Sequence, residues 1–187
     1  MDFYIDIKIL PDPEFKSSML MGALFNKLHR ILVALEANNI AVSFPDYQAK
    51  SLGTILRIHG GKNVLDELMR SSWLKGMSDH ILKTEISEIP DQVGYVSVRR
   101  RQNKYGNIDK LRSRYVKRHG VSENEAIEAY PVTLEKPLNL PFVNIRSSST
   151  GQPTFPFYVE QKEVDTQILN VDFNKYGISK TATVPWF

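Results

Sequence analysis

The sequence predicts an α+β protein, and three observations carry that prediction. A period-2 run stands directly ahead of a 3.6-period run at the N-terminus. Short β-branched runs then alternate with helical patterns up to about residue 90, and a basic, well-punctuated helical stretch lies between extended segments in the second half. With 187 residues, 42% of them hydrophobic, the chain is long enough for one domain or two small lobes around a buried core.

The elements follow in order. Phe3, Ile5, Ile7 and Ile9 alternate with Tyr4, Asp6 and Lys8, the pattern of a half-buried strand, which Pro11 and Pro13 end. From about Ser18, Leu20, Leu24, Leu28, Ile31 and Leu35 recur at intervals of three and four, predicting a helix to about Glu36 that is closed by Asn38-Asn39. NIAVSF and TILRIHG read as strands bounded by Pro45 and Gly60-Gly61. A helix over about Asn63–Trp73 and a strand near ILKTEISEI complete the order β-α-β-β-α-β, which is the ferredoxin-like pattern. Pro90-Asp91 marks a boundary, giving an expected ferredoxin-like domain over 1–92 and a mixed α+β domain over 93–187. In the second half YVSVR, LPFVNIRS, FPFYVE and VDFNKYGIS read as extended runs, and Ser122-x-x-Glu125 is a capping box.

The charge is concentrated. Between Val98 and Gly120 the chain has nine Lys or Arg (Arg99, Arg100, Arg101, Lys104, Lys110, Arg112, Arg114, Lys117, Arg118) and one acid, Asp109. Because the whole chain has 24 basic and 21 acidic residues, everything outside this stretch is net negative. Attraction for anions is therefore local, and nucleic acid is the commonest anion that needs so many contacts. Asn107 is a good N-cap and Gly120 a good C′ residue, so a basic helix is predicted over 107–119. Ile108, Leu111, Tyr115 and His119 share one face, while Lys110, Arg114, Lys117 and Arg118 share the other. A solvated amphipathic helix is the alternative, but such faces usually carry acids four residues ahead of their cations, and none follows Asp109. Upstream, Arg100 and Gln102 stand two apart, with forked donors suited to base edges.

Cysteine is absent, so disulfides, thiolate catalysis and Cys-based metal sites are excluded. No signal-peptide pattern and no run of about 20 apolar residues is present, so a cytoplasmic protein without membrane association is expected. The four histidines, His29, His59, His80 and His119, form no zinc spacing, and no metal or other cofactor is expected. His29 lies on the flank of its helix, about 100° from the apolar stripe, a position that fits a structural histidine or a reactive one. RNA supplies its own nucleophile, the 2′-OH, and cleavage through it needs a base near pH 7, a task suited to histidine. The tract RSSSTGQ is a polar turn whose hydroxyls suit either an ordinary loop or phosphate and 2′-OH contacts, and Tyr176 in NKYGIS is either a packing or a site residue.

Taken together, PDPEF, LFNKLHR, VSFPD, LRIHG, LRSRYVKRHG, LPFVNIRSSSTGQ, KYGISK and VPWF resemble the type I-F CRISPR precursor-RNA endoribonucleases, the repeat-processing subunits of the Csy surveillance complex, across essentially the whole chain. The resemblance implies metal-independent cleavage at the 3′ base of a repeat hairpin, leaving a 2′,3′-cyclic phosphate and a 5′-OH. It implies His29 as general base, Ser147 holding the 2′-OH, Tyr176 orienting the histidine and Ser149 as a further site serine. Arg100 and Gln102 match a base-reading pair, Arg112, Arg114, Lys117 and Arg118 match the phosphate-contacting helix, on whose cationic face Lys110 is a further expected RNA contact, and Phe155 matches the aromatic that stacks under the terminal base pair. Ser113 and Lys117 stand where the family has arginine. The implied partners are the CRISPR repeat hairpin, retained as mature crRNA, and the other subunits of the type I-F complex; the free protein is expected to be a monomer. Two other functions would require features of their own. A non-catalytic hairpin-binding module would need an aromatic sheet motif that is not visible in the sequence, and a DNA-binding regulator would need a helix-turn-helix around the basic helix.

Overall fold

The computed structural model describes residues 1–134, 138–146, 154–168 and 172–187. The chain divides into two compact units, one of Met1–Arg101 with Leu140–Phe187, the other of Gln102–Asn139 inserted between them. Among the described residues the architecture is α+β, with two antiparallel sheets and four α-helices. Among the described residues no helix is long and apolar enough to cross a membrane.

In the larger unit the first elements are β1 (Phe3–Ile9), α1 (Ser17–Ala34), β2 (Ala41–Ser43), β3 (Ile55–Gly60), α2 (Lys62–Arg70) and β4 (Ile81–Lys83). Their strands run in the order β2-β3-β1-β4, every pair antiparallel. The period-2 pattern of β1 turns Ile5, Ile7 and Ile9 into the core, which they share with Leu20, Leu24, Phe25, Leu28 and Leu32 of α1. PDPEF makes the corner between β1 and α1: one Asp12 carboxylate oxygen accepts from the N–H groups of Glu14 and Phe15 at 2.8 Å each, and the other meets His80 Nδ1 at 2.8 Å. The two backbone donors hold the Asp12 carboxyl below its ordinary range.

Two differences from the sequence reading have local causes. Glu36 takes up φ 51°, Ala37 N–H reaches back to Leu32 O, and the helix stops ahead of Asn38-Asn39. ILKTEISEI is two short strands, β4 and β5 (Ser87–Glu88), both against β1. Between them Thr84 Oγ1 accepts the Asp6 N–H at 3.0 Å, so a side chain stands in for the ladder.

The second sheet contains β6 (Gly94–Arg101), β7 (Phe142–Ile145), β8 (Phe155–Val164) and β9 (Thr183–Trp186), in the order β7-β8-β6-β9. The strand β9 escapes a reading by pattern because it contains Pro185; as an edge strand it tolerates the missing N–H. The described part of VDFNKYGIS, residues 172–179, is not a strand; residues 174–178 form a tight turn described below. Gln161 links the two sheets, its side-chain amide accepting from Phe44 N–H at 2.8 Å and donating to Phe44 O at 2.9 Å, both buried.

In the smaller unit, α3 (Ile108–His119) and α4 (Glu123–Ala129) have the expected caps: Asn107 Oδ1 accepts from Lys110 N–H at 2.8 Å, Gly120 is left-handed at φ 66°, and Ser122 and Glu125 form the capping box.

His59 on β3 is fully buried, with Nε2 2.8 Å from Ser43 Oγ. Burial, helped by the Arg57 charge, pushes its pKa down to about 3. The unfolded chain thus binds a proton near pH 6.5 that the folded chain refuses, so this contribution to stability is complete above that value and is lost as pH falls from there toward 3. Between pH 6.5 and 5 the loss is about 2 kcal/mol. Denaturant unfolding at the two values measures it, and His59→Gln should remove that part of the pH dependence; an unaltered dependence would contradict the assignment.

Candidate active site

The helix α1 carries His29 one residue past Leu28, on the margin of its buried stripe. Gly22 brings this helix so close to β7 that a Cβ there would sit 3.4 Å from Asn144 O. One turn before His29, the Asn26 amide donates to Asn144 O at 3.2 Å and accepts from Arg146 N–H at 3.3 Å. The helix bearing the histidine is thereby tied to the end of β7, where the RSSSTGQ tract begins.

The other wall is the turn of KYGIS. Asn174 Oδ1 accepts from Tyr176 N–H at 2.8 Å and Ile178 N–H at 3.4 Å, and Gly177 supplies φ 71° where a Cβ would also lie 2.9 Å from Val42 Cγ1. Gly177 O accepts from Val42 N–H at 2.8 Å, Phe173 N–H donates to Asn38 O at 2.9 Å, and Lys175 Nζ donates to Ala37 O at 3.1 Å. The turn is fastened to β2 and to the chain leaving α1.

Both walls act on His29. Lys175 O lies 2.8 Å from Nδ1, and a carbonyl only accepts, so Nδ1 carries a proton and in the neutral ring the lone pair is on Nε2. The Tyr176 ring lies flat on the imidazole, centroids 3.9 Å apart and planes 8° apart. Such stacking contributes about 1 kcal/mol beyond burial and fixes the plane in which Nε2 points. Tyr176 is in turn backed by Phe157 at 4.5 Å and Phe25 at 5.9 Å. Burial pushes its phenol up, partly offset by the positive charge of Arg100.

Arg100, near the end of β6, is exposed and lies over Phe157 at 4.7 Å and Phe155 at 5.5 Å. His29, Tyr176, Phe157, Arg100 and Phe155 thus form one succession of ring and cation contacts. Sequence reasoning missed Asn26, Phe157 and the Lys175 carbonyl. Asn26 had a legible signal, lying three residues before His29 on one helix face, whereas a backbone carbonyl carries none. Ser147 and Ser149 lie outside the described residues.

In the smaller unit Gln102 is exposed, and Lys110, Arg114, Lys117 and Arg118 are all exposed on α3. Arg112 differs: its side chain is 19% exposed, Nε donates to Tyr130 O at 2.9 Å, and Nη1 lies 3.5 Å from Asp109. Its guanidinium closes the end of α4 as well as carrying charge. The packed face holds buried Ile108 and the Tyr115–Tyr130 pair at 5.6 Å, while His119 is exposed with its ring 4.6 Å from Tyr115.

A sequence model of the family described as CRISPR-associated protein (Cas_Csy4) matches residues 4–187. The chain belongs to this family. Two relatives align with it end to end. The CRISPR-associated endonuclease Cas6/Csy4 of Pseudomonas aeruginosa (strain UCBPP-PA14) is 42% identical over 189 residues, covering 100% of both chains. The protein of the same name from Escherichia coli (strain UTI89 / UPEC) is 40% identical over 187 residues, again covering 100% of both. The family resemblance read from the motifs is borne out.

Proposed function

We propose that the protein is a CRISPR repeat endoribonuclease that cuts precursor crRNA at the 3′ base of the repeat hairpin by 2′-OH attack, without a metal. Membership of the Csy4 family and the name endonuclease given to both full-length relatives support the reaction class. The observation that carries the mechanism is His29 held between the Lys175 carbonyl and the Tyr176 ring, with Nε2 left as a base. In that step Nε2 takes the O2′ proton, O2′ attacks the adjacent phosphorus in line, and the bond from phosphorus to the departing 5′ oxygen breaks. The departing 5′ oxygen takes a proton from solvent water and leaves as a 5′-OH, the other product ends in a 2′,3′-cyclic phosphate, and the imidazolium returns its proton to solvent. Ser147 holds the 2′-OH, Ser149 assists at the same tract, and Tyr176 orients the imidazole through its ring face.

Binding is the work of other residues. Lys110, Arg114, Lys117 and Arg118 neutralise phosphates, Arg112 adds its remaining donors, Arg100 and Gln102 read base edges, and Phe155 stacks on the terminal pair. A hairpin held by that many contacts stays bound after the cut, which suits a cytoplasmic monomer that later joins the other subunits of a type I-F complex on its crRNA. Incubation with repeat RNA in excess EDTA tests the reading. It predicts undiminished cutting with cyclic-phosphate and 5′-OH ends; loss of cutting that added Mg²⁺ restores would overturn it.

A further inference from the structure

The two faces of the second sheet differ. Strand alternation turns Arg100, Phe157 and Val159 toward α1 and the site, and turns Arg101, Tyr158 and Glu160 the other way. On that outer face Phe142, Tyr158 and Arg101 are direct neighbours across three strands, since Tyr158 stands opposite Phe142 on β7 and opposite Arg101 on β6. The two rings are 5.3 Å apart at 53°, and Phe142 is 47% exposed, although an aromatic of that size is usually buried. Arg101 points two of its nitrogens at Glu160 Oε2, at 3.0 and 2.7 Å, while Lys162 reaches the other oxygen at 3.0 Å. This ties the guanidinium in place and leaves Nη1 outside the pair. Counting Arg99, opposite Glu160, the face holds three cations and one acid.

We propose that this outer face is a second RNA-binding site, a stacking platform for the single-stranded RNA that flanks the repeat hairpin. Exposed Phe142 with half-buried Tyr158 beside it, set among cations on a sheet, is an arrangement on which unpaired bases stack while their phosphates find positive charge. A protein partner would be met equally well by the rings, but the excess of positive charge favours a polyanion. The platform is invisible as a linear motif because its members come from three strands. The inference rests on the endoribonuclease reading, since only a hairpin with unpaired flanks would offer such a ligand.

The test measures equilibrium binding of full-length protein carrying His29→Ala, so that RNA stays intact, to a blunt repeat hairpin and to hairpins with a ten-nucleotide tail on the 5′ or the 3′ side. One tail should tighten binding by about tenfold. Phe142→Ala combined with Tyr158→Ala should erase that gain while leaving blunt-hairpin affinity within about twofold. Arg101→Gln, which disturbs no core, should reduce the gain and its salt dependence. No gain from either tail, or a gain that survives all three substitutions, overturns the proposal and leaves the face to a protein partner. Failure to bind the blunt hairpin would contradict the endoribonuclease reading instead. In that event the free tail oligonucleotide still tests the platform, which must bind it in the parent chain and lose it in the aromatic variant.

Discussion

His29→Ala should abolish cleavage of repeat RNA while leaving hairpin affinity within about tenfold, or ~1.4 kcal/mol. Removing a general base typically costs 10² to 10⁴ in rate, about 3 to 5 kcal/mol of transition-state stabilisation. The loss should be confined to the chemical step, because His29 lies on α1, apart from the α3 cations proposed to bind phosphate. The fold should survive, since the imidazole is half-buried at the margin of the α1 stripe and the core contacts of that helix come from Leu24, Phe25, Leu28 and Leu32. Single-turnover cleavage and filter binding on one protein preparation separate the two effects. If affinity collapses with activity, His29 is a structural residue and the base lies elsewhere.

Arg57→Ala should produce the largest loss of stability of any single truncation on β3. Its Nε and Nη2 meet both oxygens of Asp6 at 2.8 and 2.9 Å, and Nη1 donates to Phe187 O at 2.7 Å. The guanidinium also lies over the Phe187 ring at 4.0 Å and the Tyr4 ring at 4.7 Å. With only 9% of the Arg57 side chain and 17% of the Asp6 side chain exposed, truncation strands a carboxylate with little water to replace its partner. The expected cost is about 3 to 5 kcal/mol, lowering Tm by roughly 10 °C. Arg57→Lys should recover only part of this, because an ammonium cannot serve both Asp6 oxygens and the Phe187 carbonyl in one plane. Thermal and denaturant unfolding measure both variants; a loss under about 1 kcal/mol for Arg57→Ala would show the cluster to be incidental.

What was legible in the sequence had a period or a punctuation mark. The alternation of Phe3 to Ile9, the leucine spacing of α1, and the Asn107 and Gly120 ends of α3 each specify local structure through nearby residues, and each element is present, with only the C-terminal end of α1 differing from the expected one. The failures were of long range. A strand with Pro185 is acceptable only at an edge, which pairing with β6 decides. The KYGIS turn resembles a strand until Asn174 and the backbone of Val42 claim its hydrogen bonds. Arg112 looks like its neighbours on α3 until the Tyr130 carbonyl, 18 residues on, takes its Nε. The site divides in the same way. His29 and Tyr176 could be picked out by residue type and motif, but the contact between them spans 147 positions, and the Lys175 carbonyl that sets the tautomer belongs to the backbone.

In the proposed reaction the RNA's own 2′-OH is the nucleophile and His29 activates it. Replacing the single ribose at the cut site with 2′-deoxyribose, in an otherwise identical repeat hairpin, tests it most directly. The deoxy RNA should be bound as tightly as the parent, compete with it for the protein, and remain uncut through incubations that convert all of the parent to product. Cleavage of the deoxy RNA at the parental rate would contradict this mechanism and point to water as the nucleophile.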